Sequence, residues 1–107
     1  MTPSILQAKI DLMGEEDYLK MLAHYERDSQ MLLKQLAKKD KMRSAIHTLK
    51  SSSYAVGLEE LGNKLVYMEG LIVNGAMSTF DTHVARLSET IEQELITTRQ
   101  MLLKIGQ

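Results

Sequence analysis

The sequence predicts an all-α protein: an up-down antiparallel four-helix bundle with a short additional N-terminal helix. Three observations predict it. Apolar residues recur at steps of three and four over long stretches, the spacing of one helix face. No stretch alternates with period two, the mark of a half-buried strand. One proline and six glycines in 107 residues leave long segments without a breaker. Short connections then force successive long helices to run antiparallel. There is no linker, internal repeat or low-complexity tract, so residues 1–107 are expected to form a single domain.

A leading helix is expected from Ser4, a candidate N-cap, to about Met13, with Gly14 ending it. A long helix follows from Glu15 to about Lys38. Its acidic start (Glu15, Glu16, Asp17) and basic end (Lys38, Lys39) both suit the helix dipole. Its buried stripe is expected to be Tyr18, Leu22, Tyr25, Ser29, Leu32 and Leu36. Asp40 is the expected N-cap of the third helix, and Gly57 its left-handed C′ residue. The fourth spans Leu58 to about Asn74, with Leu58, Leu61, Leu65, Met68 and Ile72 inward and Gly75 at its end. Ser78 or Thr79 is expected to cap the last helix, which reaches about Ile105. Its inward stripe is Phe80, Val84, Leu87, Ile91, Leu95, Thr98, Leu102 and Ile105.

Composition excludes several classes of chemistry. With no cysteine there is no disulfide framework, thiolate metal site or Cys nucleophile, which fits a cytoplasmic location. No apolar run approaches the roughly 20 residues a membrane span requires, and Met1-Thr2-Pro3 lacks the regions of a signal peptide. A net charge of -1 argues against a nucleic-acid binder but allows a local basic patch.

The informative segment is Ile46-His47-Thr48-Leu49-Lys50-Ser51-Ser52-Ser53, closing at Gly57-Leu58. On a helical wheel Asp40, Arg43, Ser44, Lys50, Ser51 and Tyr54 fall within about 60° of His47. Met42, Ala45, Leu49, Ser52, Ser53 and Val56 fall on the opposite half, with Ile46 at the border. His47 is therefore expected in the middle of the polar face, exposed to water rather than satisfied in the core. A neutral imidazole has one nitrogen free to attack, and an ordinary imidazole is largely neutral at cellular pH. Lys50 can bring an ammonium to an anion held on the ring, and the small Ser44 and Ser51 keep access open. Lys38, Lys39, Lys41, Arg43 and Lys50 lie within thirteen residues whose only acid is Asp40, a basic rim that would steer an acidic partner. Position at a helix C-terminus alone also accounts for Lys38 and Lys39. Ser52 and Ser53 are expected to allow close helix approach, their hydroxyls bonded to the preceding turn.

Other signals point to no chemistry. His24 and Asp28 have the i,i+4 spacing of two metal ligands, but the Glu-x-x-His pairs of bundle metal sites are missing. They read as a surface pair, and no metal is expected. His83 reads as a boundary residue beside Val84. Gly57 to Lys64 resembles a P-loop only distantly: the lysine is one place late, no Ser or Thr follows, and no strand precedes it. The eight methionines are spread along the chain and read as core filling.

The helix pattern and the His47 segment together resemble the histidine-containing phosphotransfer (HPt) domains of two-component phosphorelays. That family's pattern is His-x-Leu-Lys-Gly-small-small, a glycine ten residues after the histidine, then spaced leucines and a Leu-Glu pair. This sequence has His47, Leu49, Lys50, Ser51, Ser52 and Ser53, then Gly57, Leu61, Leu65, Met68 and Glu69. The motif covers about a fifth of the chain, and the helical pattern extends the resemblance over nearly all of it. Ser51 replaces the usual glycine, and Tyr54 is bulky where a small residue is common.

The resemblance implies a phosphoryl carrier rather than an enzyme with its own ATP site. His47, by Nε2, would take a phosphoryl group from the aspartyl phosphate of a receiver domain and pass it to the aspartate of another. Lys50 would neutralise phosphate charge. Arg43, Ser44, Ser51, Tyr54 and Lys41 would meet the partner. Mg²⁺ would come from the receiver's acidic pocket, and the domain itself would hold no cofactor. The implied partners are receiver domains and an upstream hybrid histidine kinase, with neither nucleic acid nor membrane, and the expected state is a monomer. The competing reading is a helical adaptor, or a degenerate HPt domain that docks a receiver or other partner without phosphotransfer.

Overall fold

The structure, a computed structural model, describes residues 1–105. Five helices account for nearly all of them: α1 (Pro3–Met13), α2 (Glu15–Gln35), α3 (Met42–Ala55), α4 (Glu59–Val73) and α5 (Met77–Ile105). There is no strand among the described residues. α2 packs on α3 and α5, and α4 packs on α3 and α5, so these four helices contact one another in a closed cycle. α1 lies against α2 and α5. The molecule is elongated, 47 × 21 × 19 Å, because α5 has 29 residues and at 1.5 Å per residue alone spans about 43 Å.

The inward stripes are those the periodicity predicts. Tyr18, Leu22, Tyr25, Ser29, Leu32 and Leu36 are buried, as are Leu58, Leu61, Leu65 and Met68. On α5 Phe80, Leu87, Ile91, Leu95, Thr98 and Leu102 are buried. Ile72, Val84 and Ile105 pack on the core from a partly buried position. Ile46, at the border of the wheel, is fully buried because α4 covers that flank of α3.

Three polar side chains inside the core explain how α3 is fixed to α2. Tyr18 donates its hydroxyl to the Val56 carbonyl at 2.7 Å. Ser53 donates to the Leu49 carbonyl at 2.7 Å. Its single proton is thereby used, so the Tyr25 hydroxyl, 2.8 Å away, donates to Ser53 Oγ. Burial pushes both phenols up to about 12, so both remain protonated donors at neutral pH. Ser53 thus follows the expected bond to the preceding turn. Ser52 is only partly buried.

The helix ends depart from the sequence reading in four places. Thr2, not Ser4, caps α1: its hydroxyl accepts from the Ile5 N–H at 3.3 Å, and Pro3 occupies the first helical position, where a missing N–H costs nothing. α2 ends at Gln35 rather than Lys38. Ala37 and Lys38 bond to the carbonyls of Lys34 and Gln35, three residues back, which tightens the last turn and stops the helix. Lys41, not Asp40, holds the N-cap position of α3, with no side-chain bond to the helix end. α5 starts at Met77, ahead of Ser78 and Thr79.

The α3–α4 connection is as tight as Gly57 predicts. With φ at 91°, Gly57 donates to the Tyr54 carbonyl and Leu58 to the Ser53 carbonyl, at 3.0 and 2.9 Å. This pair of bonds satisfies the last carbonyls of α3 and reverses the chain within two residues. The seam between α2 and α5 is more open. Ser29 and Ser88 are too small to fill it, leaving a groove of about 330 Å³ that the Glu26–Arg99 ion pair crosses.

Candidate functional site

α3 presents one face to the core and one to water, and the chemistry lies on the second. Met42, Ala45, Ile46, Leu49 and Ser53 are buried, whereas Arg43, Ser44, His47, Ser51 and Tyr54 are exposed. The His47 side chain is 65% exposed. Lys50 lies one turn further along the same face and is only 20% exposed, because its stem rests against α4 while its ammonium reaches the surface.

α4 adds the residue that ties this face together. Glu69 Oε1 accepts from Lys50 Nζ at 2.8 Å, and its other oxygen, Oε2, stands 3.4 Å from His47 Nδ1. One carboxylate thus bridges the lysine and the imidazole. A proton on Nδ1, directed at this carboxylate, would leave the free lone pair on Nε2 of the exposed ring. The hydrogen bond from Lys50 holds the Glu69 carboxyl below its ordinary value of 4.5. The Lys50 charge and then the His47 hydrogen bond and charge add to this, while partial burial works in the opposite direction.

Because the folded state lowers this pKa, the bridge stabilises the protein fully above pH 4.5. That contribution is lost as the pH falls through the lowered value. The pair sits at the surface, so its contribution is at most about 1 kcal/mol. Thermal melts should therefore show wild type a few degrees above Glu69→Gln at pH 7. The difference should shrink as the pH falls below 4.5. A difference that does not shrink on acidification would assign the effect to something other than the carboxylate.

Arg43 lines a cleft of about 230 Å³ with Ile46, Glu69, Ile72 and Val73, directly beside the bridge. Val73 is 65% exposed, so this side of His47 is apolar as well as cationic. Ser44 and Ser51 stand in the open beside the ring. Tyr54 donates to Asn63 Oδ1 at 2.6 Å, which draws its ring towards α4. Lys41 stands at the N-cap position of α3, six residues before His47. The structure therefore gathers His47 and Lys50 around Glu69, with Arg43 alongside, and sets Lys41 at the periphery.

The remaining polar candidates lie elsewhere. His24 Nδ1 is 2.8 Å from an Arg27 guanidinium nitrogen. Among the described residues no group of three His, Asp or Glu is placed to hold a metal ion. His83 is partly buried, its ring edge-on to Tyr67 with centroids 5.4 Å apart. Glu59 to Lys64, Gly62 included, lie inside α4, so this stretch is helix and not a phosphate-binding loop. No described helix is long and apolar enough to cross a membrane.

In the comparisons with known proteins, no family model, no curated protein and no solved structure matches the chain.

Proposed function

We propose that this protein relays a phosphoryl group between the aspartates of receiver domains, with His47 as the intermediate acceptor. On this reading residues 1–107 form one HPt-like domain. α2 to α5 are its up-down antiparallel four-helix bundle and α1 is the short added helix, an arrangement supported by their closed cycle of contacts. The observation that carries the reading is the Glu69 bridge: an exposed imidazole whose Nδ1 lies beside a carboxylate that also binds an ammonium.

The transfer follows from that geometry. The Nε2 lone pair of His47 attacks the phosphorus of the receiver's aspartyl phosphate. The N–P bond forms as the acyl P–O bond breaks, and the aspartate leaves as a carboxylate. The ring becomes cationic as it gains the phosphoryl group, and Glu69 faces the proton on Nδ1 that carries this charge. Lys50, one turn from His47, neutralises charge on the phosphoryl oxygens. Positioning and charge neutralisation supply most of the catalysis in phosphoryl transfer. The receiver's own acidic pocket supplies Mg²⁺. Reversal of the same steps onto a second receiver completes the relay. An upstream hybrid histidine kinase is the implied source of the phosphoryl group, and the cytoplasm the implied compartment.

The test is to incubate the protein with a phosphorylated receiver domain and look for protein-bound phosphate that is acid-labile and alkali-stable. Wild type should acquire it and His47→Gln should acquire none. Label retained in His47→Gln would overturn the assignment. Receiver binding that ignores His47, with no label on either protein, would instead identify an adaptor.

A further inference from the structure

Tyr54 stands out among the aromatic residues. Tyr18 and Tyr25 are buried and bond inside the core. Tyr54 also joins two helices, yet it remains 36% exposed on the face that carries Lys50 and Ser51. Its ring lies across Gly62 of α4. A Cβ placed on Gly62 would meet Tyr54 Cε1 at 2.5 Å and Cδ1 and Cζ at 2.7 Å, so only glycine admits the ring there. Its hydroxyl donates to Asn63 Oδ1 at 2.6 Å. The ring is thus fixed at both edges before any partner arrives, while its outer side faces water.

The surroundings extend this surface towards the phosphoacceptor. Val66, 47% exposed, is four residues after Gly62 and three before Glu69, which places it on the same flank of α4. An apolar step of Tyr54 and Val66 therefore borders the His47–Glu69–Lys50 group on one side. Arg43, Ile72 and Val73 border it on the other. Tyr54 lies two helical turns from His47 on the same exposed face of α3, within reach of a partner that brings an anionic group to His47 between Lys50 and Arg43. Rigid aromatic side chains lose little conformational entropy on binding and dominate interface energetics.

We propose that Tyr54, held over Gly62 and by Asn63, is the residue with which this protein selects among receiver domains. Its ring is a preset anchor for an apolar contact on the receiver that docks at His47. This rests on the phosphorelay reading of His47. Simple stapling of α3 to α4 requires the inner side of the ring and the hydroxyl bond, but not an exposed outer side next to the acceptor.

The experiment measures kcat/KM for phosphoryl transfer from a panel of purified phosphorylated receiver domains to wild type, Tyr54→Ala, Tyr54→Phe and Gly62→Ala, each checked for helix content. Tyr54→Ala should lower kcat/KM for the preferred receiver at least about tenfold, chiefly through KM. It should affect the poorest receivers far less, so that the spread narrows. Tyr54→Phe, which keeps the ring, should preserve the ranking. Gly62→Ala, which displaces the ring without changing an exposed residue, should reproduce the narrowing. If Gly62→Ala does not fold, the two Tyr54 variants decide alone. An equal loss for every receiver, or none, overturns the proposal while leaving the relay reading intact. Failure of wild type to accept phosphate from any receiver overturns the relay reading itself, and the proposal with it.

Discussion

Lys50→Ala is expected to slow phosphoryl transfer from a receiver to His47 by about 100-fold or more. Two losses act in the same direction. The ammonium no longer meets the phosphoryl oxygens, an effect typically in the range of about 10²–10³ for a placed donor in an electrostatic site. In addition Glu69, whose Oε1 is 2.8 Å from Lys50 Nζ, becomes a carboxylate without its counter-charge, next to the point where the phosphoryl anion arrives. The double variant Lys50→Ala/Glu69→Ala removes that repulsion and should recover about tenfold of the loss. A double-mutant cycle on transfer rates measures this coupling. If the two single losses simply multiply in the double variant, Lys50 and Glu69 act independently and the bridge has no catalytic meaning.

Leu49→Ala is expected to cost about 2–5 kcal/mol of stability. Leu49 is fully buried, on the opposite side of α3 from His47, where it holds the helix against its neighbours. A single domain of this size has a total stability of about 5–15 kcal/mol, so the melting temperature should fall by roughly 10–30 °C. Thermal or urea unfolding followed by circular dichroism checks it. The surface variant Ser51→Gly, on the same helix, should shift the midpoint far less. A loss near zero for Leu49→Ala would mean that α3 is held chiefly by its polar ties through Tyr18 and Tyr25.

The sequence makes the burial pattern legible because a helix stripe is a direct record of facing: each step of three or four residues returns to the same side. It makes His47 legible for the same reason, since the polar arc around the ring spans two turns on either side. Helix ends are less legible. Asp40 looks like a better cap than Lys41, but capping contributes only about 1 kcal/mol. The chain between Leu36 and Met42 instead follows a series of three-residue turn bonds. At the start of α1 two candidate hydroxyls compete, and Pro3, with its fixed φ, puts the cap at Thr2.

Glu69 is the site residue that facing alone does not reveal. On α4 it flanks the inward stripe as any solvent-side carboxylate does. A signal for it exists in the count from the turn. His47 lies ten residues before Gly57, and Glu69 eleven after Leu58. In two antiparallel helices joined by a tight reversal, equal arms place such residues at the same height. The partner of an exposed side chain can be found this way wherever the hairpin turn is short. The Tyr54–Gly62 contact follows the same counting, three residues before the turn and four after it. The missing Cβ at Gly62 shows only in three dimensions.

That hairpin has a consequence for how the protein is made. Lys50, Glu69 and His47 are no more than 22 residues apart, so this bridged group assembles from sequence-local contacts, the kind that form early and fast. Its rigidity has a later origin. The α4 helix that carries Glu69 is packed in turn by α5, which follows it in the chain. A nascent chain therefore holds His47, Lys50 and Glu69 before it holds α5, the helix that packs on α4 and keeps the three in register.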